Sequence, residues 1–298
     1  MIRIEEIALR ATIQDRGRFG HLREGVPPSG SADPFAFAAA QALVGNDERA
    51  AAIEVTGELA FTCEDRRIVA VTGRDVRLVG RDVLPGWTAV FARPGETLRA
   101  VAGNRTRFMY LAVSGGIATD PILGSRATYL PAGLGAPLRA GERIPIGPAR
   151  LGPEHAGRSV RAPDYDTGQI RAITGPHPQR FTDEALSLFF EAEFHVDPAS
   201  DRMGTRLSGA RIAARSGEIL TTGVIAGAVQ IPSGGAPIVL LADHQATGGY
   251  PIIATVISTD IGLVAQRAPG ERLRFARVDR DRAVAAVREM RGAVEAIA

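Results

Sequence analysis

Short apolar runs, broken every few residues by Gly, Pro or Asp, leave this chain little room for long helices or a parallel sheet. Runs at Arg67–Val71, Val76–Val79, Thr88–Phe91, Thr97–Ala102, Arg105–Val113, Gln169–Ile173, Glu218–Leu220 and Val224–Ile231 have the length of strands. Turns such as Arg93-Pro94-Gly95-Glu96 lie between them. Parallel neighbours need a crossover of about a dozen residues, so this spacing predicts β-barrels instead. Two β-branched runs, Pro237–Ala242 and Ile252–Ser258, read as buried strands. The expected fold class is mainly β with a few helices.

Three helices stand out. Asp33 is an N-cap with Pro34 at the first helical position, and the helix runs through Phe35–Val44 to Gly45. Thr182–Glu193 carries Asp183 and Glu184 where the helix dipole favours them. Asp281–Ile297 places Val284, Val287, Met290, Val294 and Ile297 on one stripe. A chain of 298 residues can bury two cores. Pro148–Gly168 is rich in Gly, Pro, Arg and Asp without apolar period. The expected division is an N-terminal module at 1–150, a linker at 151–167 and a C-terminal module at 168–298 that ends in a helix. Asp15-Arg16-Gly17-Arg18 and Pro27-Pro28-Ser29-Gly30 are similar, in the same order, to Asp201-Arg202-Met203-Gly204 and Ile231-Pro232-Ser233-Gly234, which leaves internal duplication open.

Composition excludes several chemistries. The sequence has no Lys, so Schiff-base and P-loop lysines are ruled out, as is a biotinylation site of the A-M-K-M type. A formal net charge of +2 with 5% aromatics argues against nucleic-acid binding. The single cysteine, Cys63, lies in an alternating run and reads as a buried strand thiol. Five histidines show no H-x-x-x-H spacing, so no metal site is expected. G-x-S-x-G and Rossmann fingerprints are missing. No stretch reaches eighteen apolar residues and no signal peptide opens the chain, so a cytoplasmic protein is expected.

Between the two β-branched runs sits Asp243-His244-Gln245-Ala246-Thr247-Gly248-Gly249-Tyr250-Pro251, with five polar side-chain chemistries beside a Gly pair. Asp243 is the candidate for proton transfer, its carboxyl partly dehydrated by apolar neighbours. Gln245, Thr247 and the Gly248–Gly249 amides are candidate donors to a carbonyl oxygen. His244 would face away from Asp243 if the strand continued. Tyr250 either closes a pocket or packs. In Ser200-Asp201-Arg202-Met203-Gly204 the Asp–Arg pair either presents a fork to a carboxylate or carbonyl, or holds its own turn. Pro28, Ser29 and Gly30 form a stiff loop with donors suited to an anion, whereas a helix cap accounts for Asp33 without further function. The candidate catalytic residues are Asp243, Arg202 and Gln245. The candidate substrate contacts are Pro28, Ser29, Gly30, Asp201, Met203, Gln230, Thr247, Gly248, Gly249 and Tyr250.

QDRGRFG (Gln14–Gly20), GVPPSGSAD (Gly25–Asp33), LAVSGGI (Leu111–Ile117), LGSRATYL (Leu123–Leu130), SDRMGTRLSG (Ser200–Gly209) and LLADHQATGGYPIIATVIS (Leu240–Ser258) follow one another along nearly the whole chain. In these motifs the chain resembles the family of 5-oxoprolinase C subunits, also called KipA-like, allophanate hydrolase subunit 2 or biotin-dependent carboxyltransferase domain proteins. The resemblance implies two tandem cyclophilin-like β-barrel modules and three functions. The first is that of one component of an ATP-dependent 5-oxoprolinase, which opens the lactam of 5-oxoproline to glutamate. ATP would then bind in a partner or at an interface with one. The B subunit of 5-oxoprolinase, also called KipI-like, is the implied partner, with the enzyme's A subunit beside it. The second function is carboxyl transfer to urea or a similar amide, with biotin on a separate carrier. The third is that of a KipA-like regulatory protein, which counters an inhibitor of a histidine kinase.

Overall fold

The computed structural model describes residues 1–215 and 219–297. The chain divides into two compact units, one of residues 1–18, 29–163 and the end of the chain from Arg291, the other of residues 19–28 and 164–290. Their boundary at Pro163 and Asp164 falls inside the stretch read as a linker. Part of that stretch is built into the first unit: Ala89 N donates to Arg158 O at 2.8 Å and Val160 N to Trp87 O at 3.0 Å.

The first unit contains β1 (Ile2–Ile7), β2 (Arg10–Gln14), α1 (Pro34–Leu43), β3 (Ala52–Thr56), β4 (Leu59–Cys63), β5 (Arg67–Gly73), β6 (Val76–Val79), β7 (Val83–Pro85), β8 (Ala89–Ala92), β9 (Thr97–Ala102), β10 (Met109–Val113) and β11 (Arg143–Ile144). They form two sheets, ordered β11-β1-β4-β9-β6-β7 and β2-β3-β10-β5-β8. Alternate residues of both sheets, among them Ile4, Phe61 and Leu98 of one and Ile53, Val69 and Leu111 of the other, meet in a shared core. β5 and β10 are buried on both faces. On the side away from that core they carry α1, whose Phe37 packs edge-on to Tyr110 at 6.0 Å. Double burial explains why these strands read as unbroken apolar runs. The α1 cap is the one expected, with the Asp33 carboxylate accepting from Ala36 N at 3.1 Å and Gly45 at φ 68° past the end. Cys63 is buried in β4, and desolvation pushes its thiol up to about 12.

The second unit contains β12 (Gln169–Thr174), α2 (Asp183–Glu191), β13 (Phe194–Val196), β14 (Gly204–Gly209), β15 (Thr222–Gly223), β16 (Ala228–Gln230), β17 (Ile238–Leu240), β18 (Thr247–Gly248), β19 (Ile252–Val256), α3 (Ile261–Ala265), β20 (Arg272–Arg277) and, as far as Met290, α4 (Arg280–Glu295). Seven strands close into a barrel in the order β12-β19-β16-β17-β14-β13-β20, shut by the parallel pair β12 and β20. Phe189 of α2 stacks on Phe275 of β20 at 4.5 Å and fixes the helix to the barrel. The chain is therefore mainly β with a closed barrel. The first unit keeps its strands in two hydrogen-bonded sheets.

Several expected elements change extent. Val224–Ile231 is not one strand, because Gly227 turns through φ 87° and only Ala228–Gln230 continues as β16. Arg105–Val113 begins as a turn, with Thr106 N on Gly103 O at 3.0 Å, and becomes strand only from Met109. The run Glu218–Leu220 starts outside the described residues, and its remainder, Ile219 and Leu220, lies in no strand. On α4 the stripe read in sequence holds at Val287, Met290 and Val294, all partly buried, and at buried Ile297 beyond its end; Val284 departs from it at 40% exposed, and Ala286 is buried instead. The single-turn α3 is absent from the sequence reading, since five residues are too few to display a period.

Candidate functional site

The register of the barrel decides which side chains of β16 and β17 share a face. Directly opposed residues of an antiparallel pair point the same way. Thr205, Val229 and Val239 are thus on one face, and Gln230 and Ile238 on the other; a register shift between Val229 and Gln230 then sets Gln230 opposite Ile252. That second face carries a small apolar cluster of Val224, Ala228, Leu240 and Ile252. Over it runs the short β15–β18 pair, extended by Val224 N on Ala246 O at 3.2 Å and Ile219 N on Gly249 O at 2.8 Å. The polar loop 243–250 is therefore tied down along its length to 219–224.

Asp243 and Arg202 face each other. Arg202 Nε donates to Asp243 Oδ2 at 2.8 Å and Nη2 to Oδ1 at 3.0 Å, with the side chains only 11% and 8% exposed. The backbone repeats the contact, as Asp243 N donates to Arg202 O at 2.9 Å. Asp201 plays a different part: its Oδ1 accepts from Met203 N at 2.8 Å and Gly204 N at 3.2 Å, closing the turn that enters β14. Of the two readings of the Asp–Arg pair, the turn is held by Asp201 alone, while the Arg202 fork reaches 41 residues along the chain. Met203 is 39% exposed beside this turn.

Gln230 and Gln245 form a second contact. Gln245 Nε2 donates to Gln230 Oε1 at 3.3 Å, and Gln230 is buried. Gly248 lies against both amides: a Cβ there would press into Gln230 Nε2 and come to 3.4 Å from Gln245 Nε2. Among the described residues Gln230 Nε2 finds no acceptor, at a cost of about 1–3 kcal/mol for a buried donor. Thr247 is exposed, and Gly248, Gly249 and Tyr250 are partly exposed along the loop.

The strand does not continue through His244, so the alternation expected there does not apply. His244 sits in a turn with its N on Leu241 O at 3.1 Å, and its ring Nδ1 lies 2.7 Å from Gln245 O. A carbonyl only accepts, so Nδ1 carries the proton. Burial pulls this imidazole below its ordinary value, against the opposing pull of that bond and of Asp243. His177 is also lowered, by burial and then by Arg180, and its Nδ1 accepts from Ile252 N at 3.1 Å. Both rings are thus held neutral in the folded chain. Depressed values contribute stability in full above the unfolded histidine value of about 6.5; it is lost as pH falls through the folded values. The urea midpoint should therefore fall between pH 7.5 and 5.5, and His177→Gln should flatten that dependence. An equally steep dependence in the variant would remove His177 from the account.

Ser29 and Gly30 belong to the first unit, and Pro28 ends the segment 19–28 grouped with the second. Ser29 is buried at φ 55° with Oγ donating to Thr128 O at 3.2 Å. Around it the motif segments 14–20 and 123–130 converge. The Asp15 carboxylate accepts from Gly17 N at 2.8 Å, Ser125 Oγ at 2.6 Å and Arg126 N at 2.7 Å. Arg18, wholly buried, donates to Ile122 O at 2.9 Å and Ala127 O at 2.7 Å. In the sequence Asp15 and Arg18 stand out only through their likeness to 201–204 and as members of a motif, and Ser125 and Thr128 only as members of another. The order of the motifs is the signal that could have linked them. Among the described residues no group of three or more His, Cys, Asp or Glu is placed to hold a metal ion, and no helix is long and apolar enough to cross a membrane.

A family model described as "Carboxyltransferase domain, subdomain A and B" matches residues 24–277, which takes in both units. The chain belongs to the carboxyltransferase-domain family. Within this family it is 33% identical over 306 residues to the 5-oxoprolinase C subunit of Escherichia coli, spanning 100% of this chain and 98% of that protein. It is 34% identical to the 5-oxoprolinase C subunit of Haemophilus influenzae, over 92% of this chain and 90% of that one. Urea amidolyase of Saccharomyces cerevisiae is 30% identical over 89% of this chain, which corresponds to 16% of that longer protein. The crystal structure of K. lactis urea amidolyase superposes with a TM-score of 0.90 at 23% identity, over 100% of this chain and 20% of that one, and bears on the fold alone. The carboxyltransferase-domain relatives named here are subunits or segments of enzymes.

Proposed function

We propose that this chain is the C subunit of an ATP-dependent 5-oxoprolinase, a hydrolase that consumes 5-oxoproline, water and ATP and yields glutamate, ADP and phosphate. The observation that carries the proposal is the end-to-end match to a protein of that name, 98% of which this chain spans. The B and A subunits of that enzyme are the proposed partners, and the cytoplasm is the proposed location. A chain without Lys has no P-loop lysine, so ATP is assigned to a partner.

The chemistry asked of this chain is to hold a cyclic amide and polarise its carbonyl. Gln245 and the Gly248–Gly249 amides supply neutral donors where oxyanion character develops. Asp243, oriented by both arms of the Arg202 fork, takes the proton of the attacking water. Asp201 keeps that fork in place through its turn, and Thr247, Tyr250 and Met203 line the exposed side. Pro28, Ser29 and Gly30 are assigned to substrate contact as well. Carboxyl transfer to urea is the second reading, favoured by the yeast relative; it needs the same polarised carbonyl, with biotin brought by another protein because this sequence has no lysine to carry it.

The test is reconstitution. Purified with the A and B subunits, the complex should form glutamate from 5-oxoproline with ATP hydrolysis, and omission of this chain should abolish it. Glutamate formation that is indifferent to this chain would overturn the reading. Carboxylation of urea by a co-purifying biotinylated carrier would install the second reading in its place.

A further inference from the structure

We infer that Gln245 reads the cis-amide edge of the substrate, its N–H and C=O together, and that Gln230 is the positioning residue that sets the orientation in which it does so. The inference rests on the 5-oxoprolinase reading and deepens it.

Gln230 is 2% exposed on a barrel face otherwise occupied by Val224, Ala228, Leu240 and Ile252. A leucine would suit that patch better, since Gln230 Nε2 goes without an acceptor there among the described residues. The polar bond its side chain makes is the one accepted from Gln245 Nε2 at 3.3 Å. The benefit of a glutamine here therefore lies in what it does to Gln245. A primary amide has two N–H donors and one carbonyl oxygen. With one N–H turned inward to Gln230, Gln245 presents its second N–H and its Oε1 from a side chain that is itself only partly buried. Gly248 completes the arrangement, because a side chain there would displace the Gln230 amide.

A donor beside an acceptor on one planar group pairs with its own complement. A lactam ring forces the amide N–H and C=O to the same side, which an open trans peptide does not allow. Gln245 Oε1 then accepts from the lactam N–H while its second N–H donates to the lactam oxygen. The first contact selects amide over ester, and the second adds to the polarisation of the carbonyl. Trans peptides present no such edge and are rejected.

The experiment compares 5-oxoproline with its lactone analogue, in which oxygen replaces the ring N–H, in the reconstituted complex. Gln230→Met keeps the volume and removes the acceptor. It should lower kcat/KM for both compounds, because both present the carbonyl, but about tenfold further for the lactam, which also loses the contact to its N–H, so that the ratio of the two falls. Gly248→Ala, which acts on Gln230 from outside, should move the ratio the same way, and Gln245→Leu should abolish it. A merely structural role would lower both substrates together, and an unchanged ratio in Gln230→Met and Gly248→Ala overturns the inference. A wild-type complex that turns over neither compound overturns the 5-oxoprolinase reading and the inference with it, and the wild-type arm alone tells the two failures apart.

Discussion

Replacing Arg202 by methionine is expected to destabilise the chain by about 3–5 kcal/mol, read as a lower urea midpoint at neutral pH. The size follows from what is left behind. Asp243 lies 8% exposed with both oxygens on the guanidinium, and methionine fills the volume while withdrawing both donors. A buried carboxylate that loses both guanidinium donors must either stay charged at high cost or draw in water and open the turn at 241–244. Arg202→Met with Asp243→Leu removes both charges and should recover most of the loss, because an apolar pair of similar volume is often as stable as the ion pair. A double variant as unstable as the sum of its singles would show that the pair is not the source. The same cycle separates structure from chemistry. Under the proposed function the double variant regains stability but not turnover, whereas a purely structural pair would let both return.

The parts of the fold legible in the sequence are those fixed by local chemistry. Asp33, Pro34 and Gly45 delimit α1 because a cap, a preset φ and a left-handed exit act within a few residues. Val76–Val79 and Thr97–Ala102 are legible to the residue, each bounded by turn formers. Partner choice is not legible. Nothing local says that β4 pairs with β1 and β9, or that β12 closes the barrel on β20 in parallel. Glu5 and Glu6 obscure the alternation of β1, whose inward residues are Ile2 and Ile4. β14, with the sequence GTRLSG, carries too few apolar residues to announce a strand and owes its place to neighbours on both sides.

The candidate site divides in the same way. The density of polar groups at 243–250 is visible in the sequence, as is the Asp201–Arg202 turn. Which carboxylate Arg202 meets is a tertiary fact: adjacency in sequence points to Asp201, and the barrel register delivers Asp243. Gln230 shows why single residues in apolar runs are hard to weigh. In sequence it ends a strand of Ala228-Val229-Gln230, and its meaning comes from Gln245, 15 residues on.

Gly30→Ala should cost about 2–6 kcal/mol, more than most glycine replacements in this chain. Two separate terms add. Gly30 sits at φ +87°, where an L side chain is strained by about 1–3 kcal/mol. A Cβ there would also lie 2.9 Å from Asp15 O, Arg16 C and Gly17 N, all of them backbone atoms, adding an overpacking cost of about 1–3 kcal/mol. That backbone has nowhere to go, because the Asp15 carboxylate is bound by Gly17, Ser125 and Arg126, and Asp15 O accepts from Ser31 N at 3.2 Å. Gly95→Ala is the control. It has a similar φ of +72° in a turn of the same unit, but nothing lies within 4 Å of its Cβ, so only the backbone strain remains, about 1 kcal/mol. Urea denaturation of the two variants side by side distinguishes the terms, and equal losses would mean that the close approach of Gly30 to residues 15–17 carries no energy. Ser29, the residue before Gly30, is left-handed as well and donates to Thr128 O. Under the proposed function, which assigns Ser29 and Gly30 to substrate contact, loosening the approach of Gly30 to residues 15–17 should raise KM in the reconstituted complex before kcat falls.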